Sequence, residues 1–331
     1  MASPTLPASF AEGFTVSSTK GMAISAYRVL SATGADEGPA DEPDDRSVDG
    51  VDDEAAPALI FAHANGFNAG CYLPLLQRLS AHFQVFAYDA RGHGASPSPG
   101  DDIENDYAMI RFAEDLGAVT DAVRLMIGTA RPLHFASHSL GGLAAILLEA
   151  ALGRAPFHSL TLFEPPIYPP DGHPERAAAL AHAPNFIRWA ARRRNHFPDR
   201  AALGEETQKI ITYRRFAPDM KAAYLEAAVE ANPNGGFSLR CPGDIESAIY
   251  GNCPDSGIFE MTAKVATPAR IYATDQSVLA DLHSWAPGTM ASIAANMPRG
   301  EARTMPGCLH LMAQEDPDAC AAAIVDHALG R

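Results

Sequence analysis

Apolar positions in this chain fall into two kinds of pattern, and the two alternate. Continuous apolar runs occur in "PALIFAHANGF", "FQVFAYDARGHG", "PLHFASHS" and "SLTLFEPP", as expected for strands buried on both faces. Between them lie helical stripes. Leu76, Leu79 and Phe83 share one face of segment 72–83, and Phe112, Leu116, Val119, Val123 and Met126 step by 4, 3, 4 and 3. "LGGLAAILLEAAL" reads as a mostly apolar helix directly after the third run. Ahead of them all, "FTVSS" and "AISAYRVL" flank "TKGM", a hairpin pattern with Gly21 near its turn. Alternation with short connections predicts an α/β fold, a mostly parallel sheet with helices on both faces and right-handed crossovers.

The rhythm stops near Tyr168 and resumes after Thr262. The segment between is Ala-rich and helix-leaning, with no clear strand run. "ARIYATD" and "EARTMPG" then restore the strand pattern, and "DPDACAAAIVDHALG" closes as a helix with Pro317 in its first turn. The organisation expected is a core of residues 1–167 and 263–331, interrupted by a helical cap of residues 168–262.

Charge changes this picture in one place. The net charge is −15, and between Asp36 and Glu54 ten carboxylates face one Arg, so nine of the fifteen excess negatives lie in one stretch. Residues 32–57, rich in Asp, Gly and Pro, read as a mobile acidic insert without the spaced ligands of a calcium loop. The remainder is only mildly acidic, which gives no reason to expect a nucleic-acid partner. Five cysteines form no CxxC pair and are odd in number, favouring a reduced, cytoplasmic protein over a disulfide framework. "MASPTLPASFAEGF" lacks a basic region followed by an apolar one, so no export leader is expected, and no run is long enough for a membrane helix.

Reactive groups of a parallel sheet collect beyond the carboxyl ends of its strands. In "SHSLGG" a strand feeds straight into a helix, which puts Ser139 at the apex, with Ser137 and Gly141 as the small neighbours such a close turn needs. Ser137 is then a packing residue. The Leu140 amide, at the start of the new helix, would be aimed at an oxyanion.

This segment resembles the nucleophile elbow, G-x-S-x-G, of the α/β-hydrolase superfamily, with Ser137 in place of the first glycine. "HANGF" (63–67) resembles the oxyanion loop, usually His-Gly-x, with Ala64 at the glycine position. It is similar to a little-characterised set of esterase-like hydrolases. "DARGHGASP" resembles the D-x-R-G-x-G-x-S segment, and "GCLHLMAQEDPD" the histidine loop. These ordered anchors cover most of 10–167 and 263–329. The resemblance implies the α/β-hydrolase fold with an inserted cap, Asn65 as second oxyanion donor beside Leu140, and His310 as the base acting on Ser139. His63, His93, His134 and His138 read as packed or hydrogen-bonded histidines.

The triad acid stays open. In most of the family it follows the penultimate strand, where Asp275 sits about two residues early. In a minority branch it follows the strand after the elbow helix, where Glu164 lies 25 residues past Ser139. The order of preference is Glu164, then Asp275, then Asp281. In the cap, Arg188, Arg192, Arg193 and Arg194, with Arg214 and Arg215, could receive an acidic substrate, but read better as a solvated helix face. "FSLRCPGDIESAIYG" could contribute pocket lining.

The function expected is a serine hydrolase cleaving a small carboxylic ester or lactone, with no cofactor or metal. A homodimer is left open. The alternatives are carbon–carbon bond hydrolysis, acyl transfer, perhydrolysis, or a catalytically idle small-ligand receptor.

Overall fold

Runs that are apolar at every position need cover on both faces, and the sheet supplies it. The computed structural model describes residues 4–30, 56–100, 102–254, 257–278, 285 and 288–331. Almost all of the acidic insert and Asp281 lie outside the described residues. The first strands are β1 (Ala11–Ser17) and β2 (Ala23–Val29), an antiparallel hairpin turning through Lys20 and Gly21, both at positive φ. Then follow β3 (Ala58–Ala62), β4 (Gln84–Tyr88), β5 (Leu133–His138) and β6 (Leu160–Phe163), buried at every residue. The segment 168–262 carries β7 (His196–Phe197), β8 (Val229–Ala231) and β9 (Phe237–Leu239). The chain returns with β10 (Ala269–Ala273) and β11 (Gly300–Thr304).

Eight strands form one sheet in the order β1-β2-β4-β3-β5-β6-β10-β11, parallel from β4 through β11. Strand alternation divides the core in two. Ile60, Phe86, Phe135 and Leu162 pack on the face covered by helices Met109–Ile127 and Leu140–Leu152. Leu59, Phe61, Val85 and Phe163 pack on the face covered by Leu73–Ser80 and Pro317–Leu329. The polar edge strand β11 carries Glu301 and Arg303, charges that discourage pairing with another chain. The stripe of helix Met109–Ile127 is one turn shorter than its spacing suggested, since Met126 is 53% exposed.

Five α-helices and a short 3-10 helix occupy the described part of 168–262, with β7, β9 and β8 as a small antiparallel sheet that the periodicity did not anticipate. Its strands are two or three residues long, too short to show a period. The β8–β9 connection turns through Gly235 and Gly236 at φ 99° and 70°, and a Cβ on Gly236 would meet the Phe197 carbonyl oxygen at 2.3 Å. That close approach explains the glycine.

Parallel register aligns the strand ends that matter. Ala62 pairs with Ser137 and with Tyr88, His138 with Phe163, and Phe163 with Tyr272. The loops after β3, β4, β5, β6 and β10 therefore leave from one rim.

Two histidines lock the first two of these loops together. His63 Nδ1 donates to the Ala64 carbonyl at 2.8 Å, while its Nε2 accepts from the Ala90 amide at 2.9 Å. His93 Nδ1 donates to the Arg91 carbonyl at 2.9 Å, and its Nε2 accepts from the Gly66 amide at 3.1 Å. Each ring accepts at one nitrogen, so each is neutral. The neighbouring residues of "DARGHG" are equally engaged. Arg91 makes a two-pronged pair with Asp115 at 2.7 and 2.8 Å, and Asp89 accepts from the Ala69 and Ala95 amides.

Burial lowers His63 from 6.5 to about 4 and His93 from 6.5 to about 3. Each is depressed below its unfolded value, so the unfolded chain binds the protons first. Their contribution is complete above about pH 6.5 and declines as the pH falls toward 4. The thermal midpoint, followed by circular dichroism from pH 7.5 to pH 4, is expected to drop through this window; a flat profile would contradict the assignment.

Candidate active site

No residue separates β5 from the following helix except Ser139, which sits at φ 52° and ψ −114°. A non-glycine side chain in that conformation is strained and persists only where its surroundings enforce it. They do so here. The Ser139 amide donates to the Phe163 carbonyl at 2.8 Å, and the Gly142 amide donates back to the Ser139 carbonyl at 2.9 Å. A Cβ on Gly141 would lie 2.5 Å from the Ala62 Cβ and 2.9 Å from the Ser137 Cβ, and one on Gly142 would lie 2.8 Å from the Pro165 Cβ. The small residues of "SHSLGG" are thus required where helix and strands converge. Ser137 is fully buried against this contact, and Ser139 takes the apex.

The Leu140 amide belongs to the first turn of the helix, where backbone N–H groups have no partner four residues back and the dipole favours negative charge. The loop after β3 brings Asn65 to the same rim. Asn65 Nδ2 donates to the Glu246 carbonyl at 3.0 Å, so the side chain ties the loop to segment 168–262. Gly66 adopts φ 77°, and a Cβ there would meet Glu246 Oε1 at 2.7 Å and Arg193 Nη1 at 3.0 Å. Phe67 enters an aromatic cluster with Tyr72, Tyr213, Phe216 and Tyr224.

His310 is brought in from the loop after β11. Its Nδ1 lies 2.8 Å from Glu164 Oε2, and Glu164 Oε1 accepts from the Thr274 amide at 2.9 Å. Glu164 leaves the end of β6 at φ 41°, the second strained non-glycine residue on this rim. Side-chain exposure is 1% for Glu164 and 21% for His310, so the acid is sealed while the imidazole reaches the surface. With Nδ1 directed at a carboxylate, Nε2 is the nitrogen left to exchange a proton. The His310 carbonyl accepts from His138 Nε2 at 2.8 Å, which binds the histidine loop to the residue preceding Ser139.

Asp275, the other acid candidate, is directed elsewhere. Its Oδ1 accepts from the Ser277 amide and hydroxyl at 3.0 and 2.6 Å, and its Oδ2 from the Gly307 amide at 2.9 Å. Its own amide donates to the Cys308 carbonyl at 2.9 Å. It staples the loop after β10 to the loop that carries His310, a role the residue pattern did not suggest.

The arginine cluster also divides. Arg193 is not on a solvated face: it pairs with Glu246 and donates to the Tyr224 hydroxyl at 3.1 Å, directly over the loop containing Asn65 and Gly66. Arg215 pairs with Glu315 at 2.6 Å and donates to the Gly307 carbonyl. Arg188, Arg192, Arg194 and Arg214 are exposed, as expected of a solvated face. Spacing carried no sign of Tyr72, Glu246 or Tyr224 as contributors, because each acts through contacts between distant segments. His134 is placed as expected, bonded to the Ser159 hydroxyl at 2.8 Å. All five cysteines are buried. Among the described residues no helix is long and apolar enough to cross a membrane.

Comparison with known proteins gives the same architecture. Over 129 residues the chain is 33% identical to 3-oxoadipate enol-lactonase 1 of Acinetobacter baylyi, a match spanning 38% of this chain and less than half, 44%, of that enzyme. Among solved structures, E-2-(acetamidomethylene)succinate hydrolase superposes with a TM-score of 0.71 at 16% identity, covering 96% of this chain and 98% of its own. The enol-lactonase of Burkholderia xenovorans LB400 superposes with a TM-score of 0.55 at 17% identity, covering 82% and 91%. At these identities the structures speak for the fold alone. The model of the alpha/beta hydrolase family matches residues 59–323, most of the chain. Spanning all the strand-end loops just described, that match shows that the chain belongs to the alpha/beta hydrolase family.

Proposed function

We propose that the protein is a serine hydrolase that cleaves a small carboxylic ester or lactone through an acyl-enzyme on Ser139. The observations that carry this reading are the His310–Glu164 bond of 2.8 Å, a serine held on a strained strand-to-helix turn, and the bond from His138, the residue before that serine, to the His310 carbonyl. A serine hydroxyl attacks only when a base removes its proton. His310 takes that proton at Nε2, and Ser139 Oγ bonds to the carbonyl carbon of the substrate. The negative charge that develops on the carbonyl oxygen is met by the Asn65 and Leu140 amides. Glu164 stabilises the imidazolium so formed. His310 then returns the proton to the departing alkoxide, which for a lactone remains tethered to the acyl group. Water, deprotonated by the same imidazole, releases the acid and restores the serine.

Partial identity to an enol-lactonase supports the lactone branch of the reading. Segment 168–262 acts as the cap that walls the pocket and sets substrate size. The cytoplasmic expectation fits five buried thiols, and the substrate is a small molecule rather than a nucleic acid or membrane.

Covalent labelling by a fluorophosphonate tests the nucleophile: wild type is expected to label and Ser139→Ala not to, whereas labelling of neither would favour a ligand-binding receptor. Hydrolysis of a short p-nitrophenyl ester tests the acid. Glu164→Gln is expected to lower kcat by about 10²–10⁴-fold, because the imidazole loses its tautomer and its counter-charge. Asp275→Asn keeps one acceptor oxygen for its loop and is expected to lose less than about tenfold. The opposite order would transfer the acid role to Asp275.

A further inference from the structure

We infer that His138, held in one tautomer by Tyr72, is a positioning residue that aims His310 by gripping its backbone. The inference rests on the reading of Ser139, His310 and Glu164 as a triad. A chain of three hydrogen bonds carries it. The Ala64 amide donates to the Tyr72 hydroxyl oxygen at 3.2 Å. The Tyr72 hydroxyl meets His138 Nδ1 at 2.7 Å, and His138 Nε2 meets the His310 carbonyl at 2.8 Å.

The polarity of this chain is set by its last link. A carbonyl only accepts, so the hydrogen of the neutral His138 ring belongs on Nε2 and points at His310. Nδ1 then holds the lone pair, and the Tyr72 hydroxyl, whose oxygen accepts from the Ala64 amide, donates to it. In the opposite tautomer two lone pairs would face each other across 2.8 Å. All three donor residues are buried, with Tyr72 and His138 at 0% exposure, so a broken link finds no water to replace it.

What the chain connects gives it significance for the site. Ala64 precedes Asn65, His138 precedes Ser139, and the last link ends on His310 itself. The three loops that supply oxyanion donor, nucleophile and base are therefore registered to one another through groups that never touch substrate. His310 has two fixed points as a result, its ring on Glu164 and its backbone on His138. Its ring also lies 5.1 Å from the His138 ring, centroid to centroid. Burial and the neighbouring His310 hold His138 neutral, well below the usual imidazole range, so the cation that forms on His310 during turnover meets no like charge there. Loss of one fixed point lets the imidazole drift, and misplacement by about 1 Å is worth up to about 10²-fold in rate.

Four variants test this on the same p-nitrophenyl ester. His138→Leu is expected to lower kcat by about 10²-fold with KM changed less than about threefold, a split that marks misdirected chemistry rather than lost binding. His138→Gln, whose amide can accept from Tyr72 and donate to the His310 carbonyl, is expected to recover at least about tenfold of that loss. Tyr72→Phe keeps the ring packed between Phe61 and Phe67 and is expected to lower kcat about tenfold or more, with fluorophosphonate labelling slowed in parallel. Equal losses in His138→Leu and His138→Gln would reduce His138 to a packing residue and overturn the inference. So would a kcat within about threefold of wild type in His138→Leu or, should that variant fail to fold, in Tyr72→Phe. Turnover that survives in Ser139→Ala removes the triad reading and this inference with it. An inactive Ser139→Ala alongside wild-type kcat in His138→Leu removes the inference alone.

Discussion

The bend at Ser139 is the constraint around which the rest of the molecule is organised. A serine at φ 52° costs about 1–3 kcal/mol relative to a relaxed backbone. It is retained because β5 must end and a helix must begin without an intervening loop. Strand β3 supplies Ala62 as the wall against Gly141, strand β6 supplies the Phe163 carbonyl that captures the Ser139 amide, and Pro165 closes on Gly142. Strain of this size is affordable only inside a sheet buried on both faces, where neighbouring strands cannot yield. The central strands and the reactive rim are therefore one construction.

Much of this was legible in the chain itself. Strands buried on both faces must be apolar throughout, so β3 to β6 stood out as uninterrupted runs. Helices lying on the sheet must be striped, so 109–127 showed its buried side at Phe112, Leu116, Val119 and Val123. The place of Ser139 at the apex of a strand-to-helix turn could be read because turn chemistry is local. The carboxylate bonded to His310 could not, and topology explains why. Strands β6 and β10 are neighbours, with Phe163 opposite Tyr272, so Glu164 and Asp275 leave adjacent strand ends on one rim. Which carboxylate faces His310 depends on local backbone conformation, visible as the positive φ of Glu164 and invisible in residue order. The same holds for β7 to β9 and for Arg193, whose surroundings are set by chain segments dozens of residues away.

Segment 168–262 is tied to the core at several points. Residues 65–68 each engage it in turn. Asn65 reaches the Glu246 carbonyl, Gly66 lies against Glu246 and Arg193, Phe67 enters the ring cluster, and Asn68 Nδ2 donates to the Ala227 carbonyl at 2.7 Å. From the other side Arg215 holds Gly307 and Glu315 on the histidine loop. The insertion thus grips two of the loops that converge at Ser139, and the large, flat side chain at position 67 becomes intelligible as its anchor.

That anchorage at Phe67 limits how this molecule can be re-engineered. A chimaera that replaces residues 168–262 with the corresponding segment of a relative would have to import partners equivalent to Tyr213, Phe216 and Tyr224, or redesign "HANGF" alongside it. Modular exchange here therefore has to be planned as a two-part transplant.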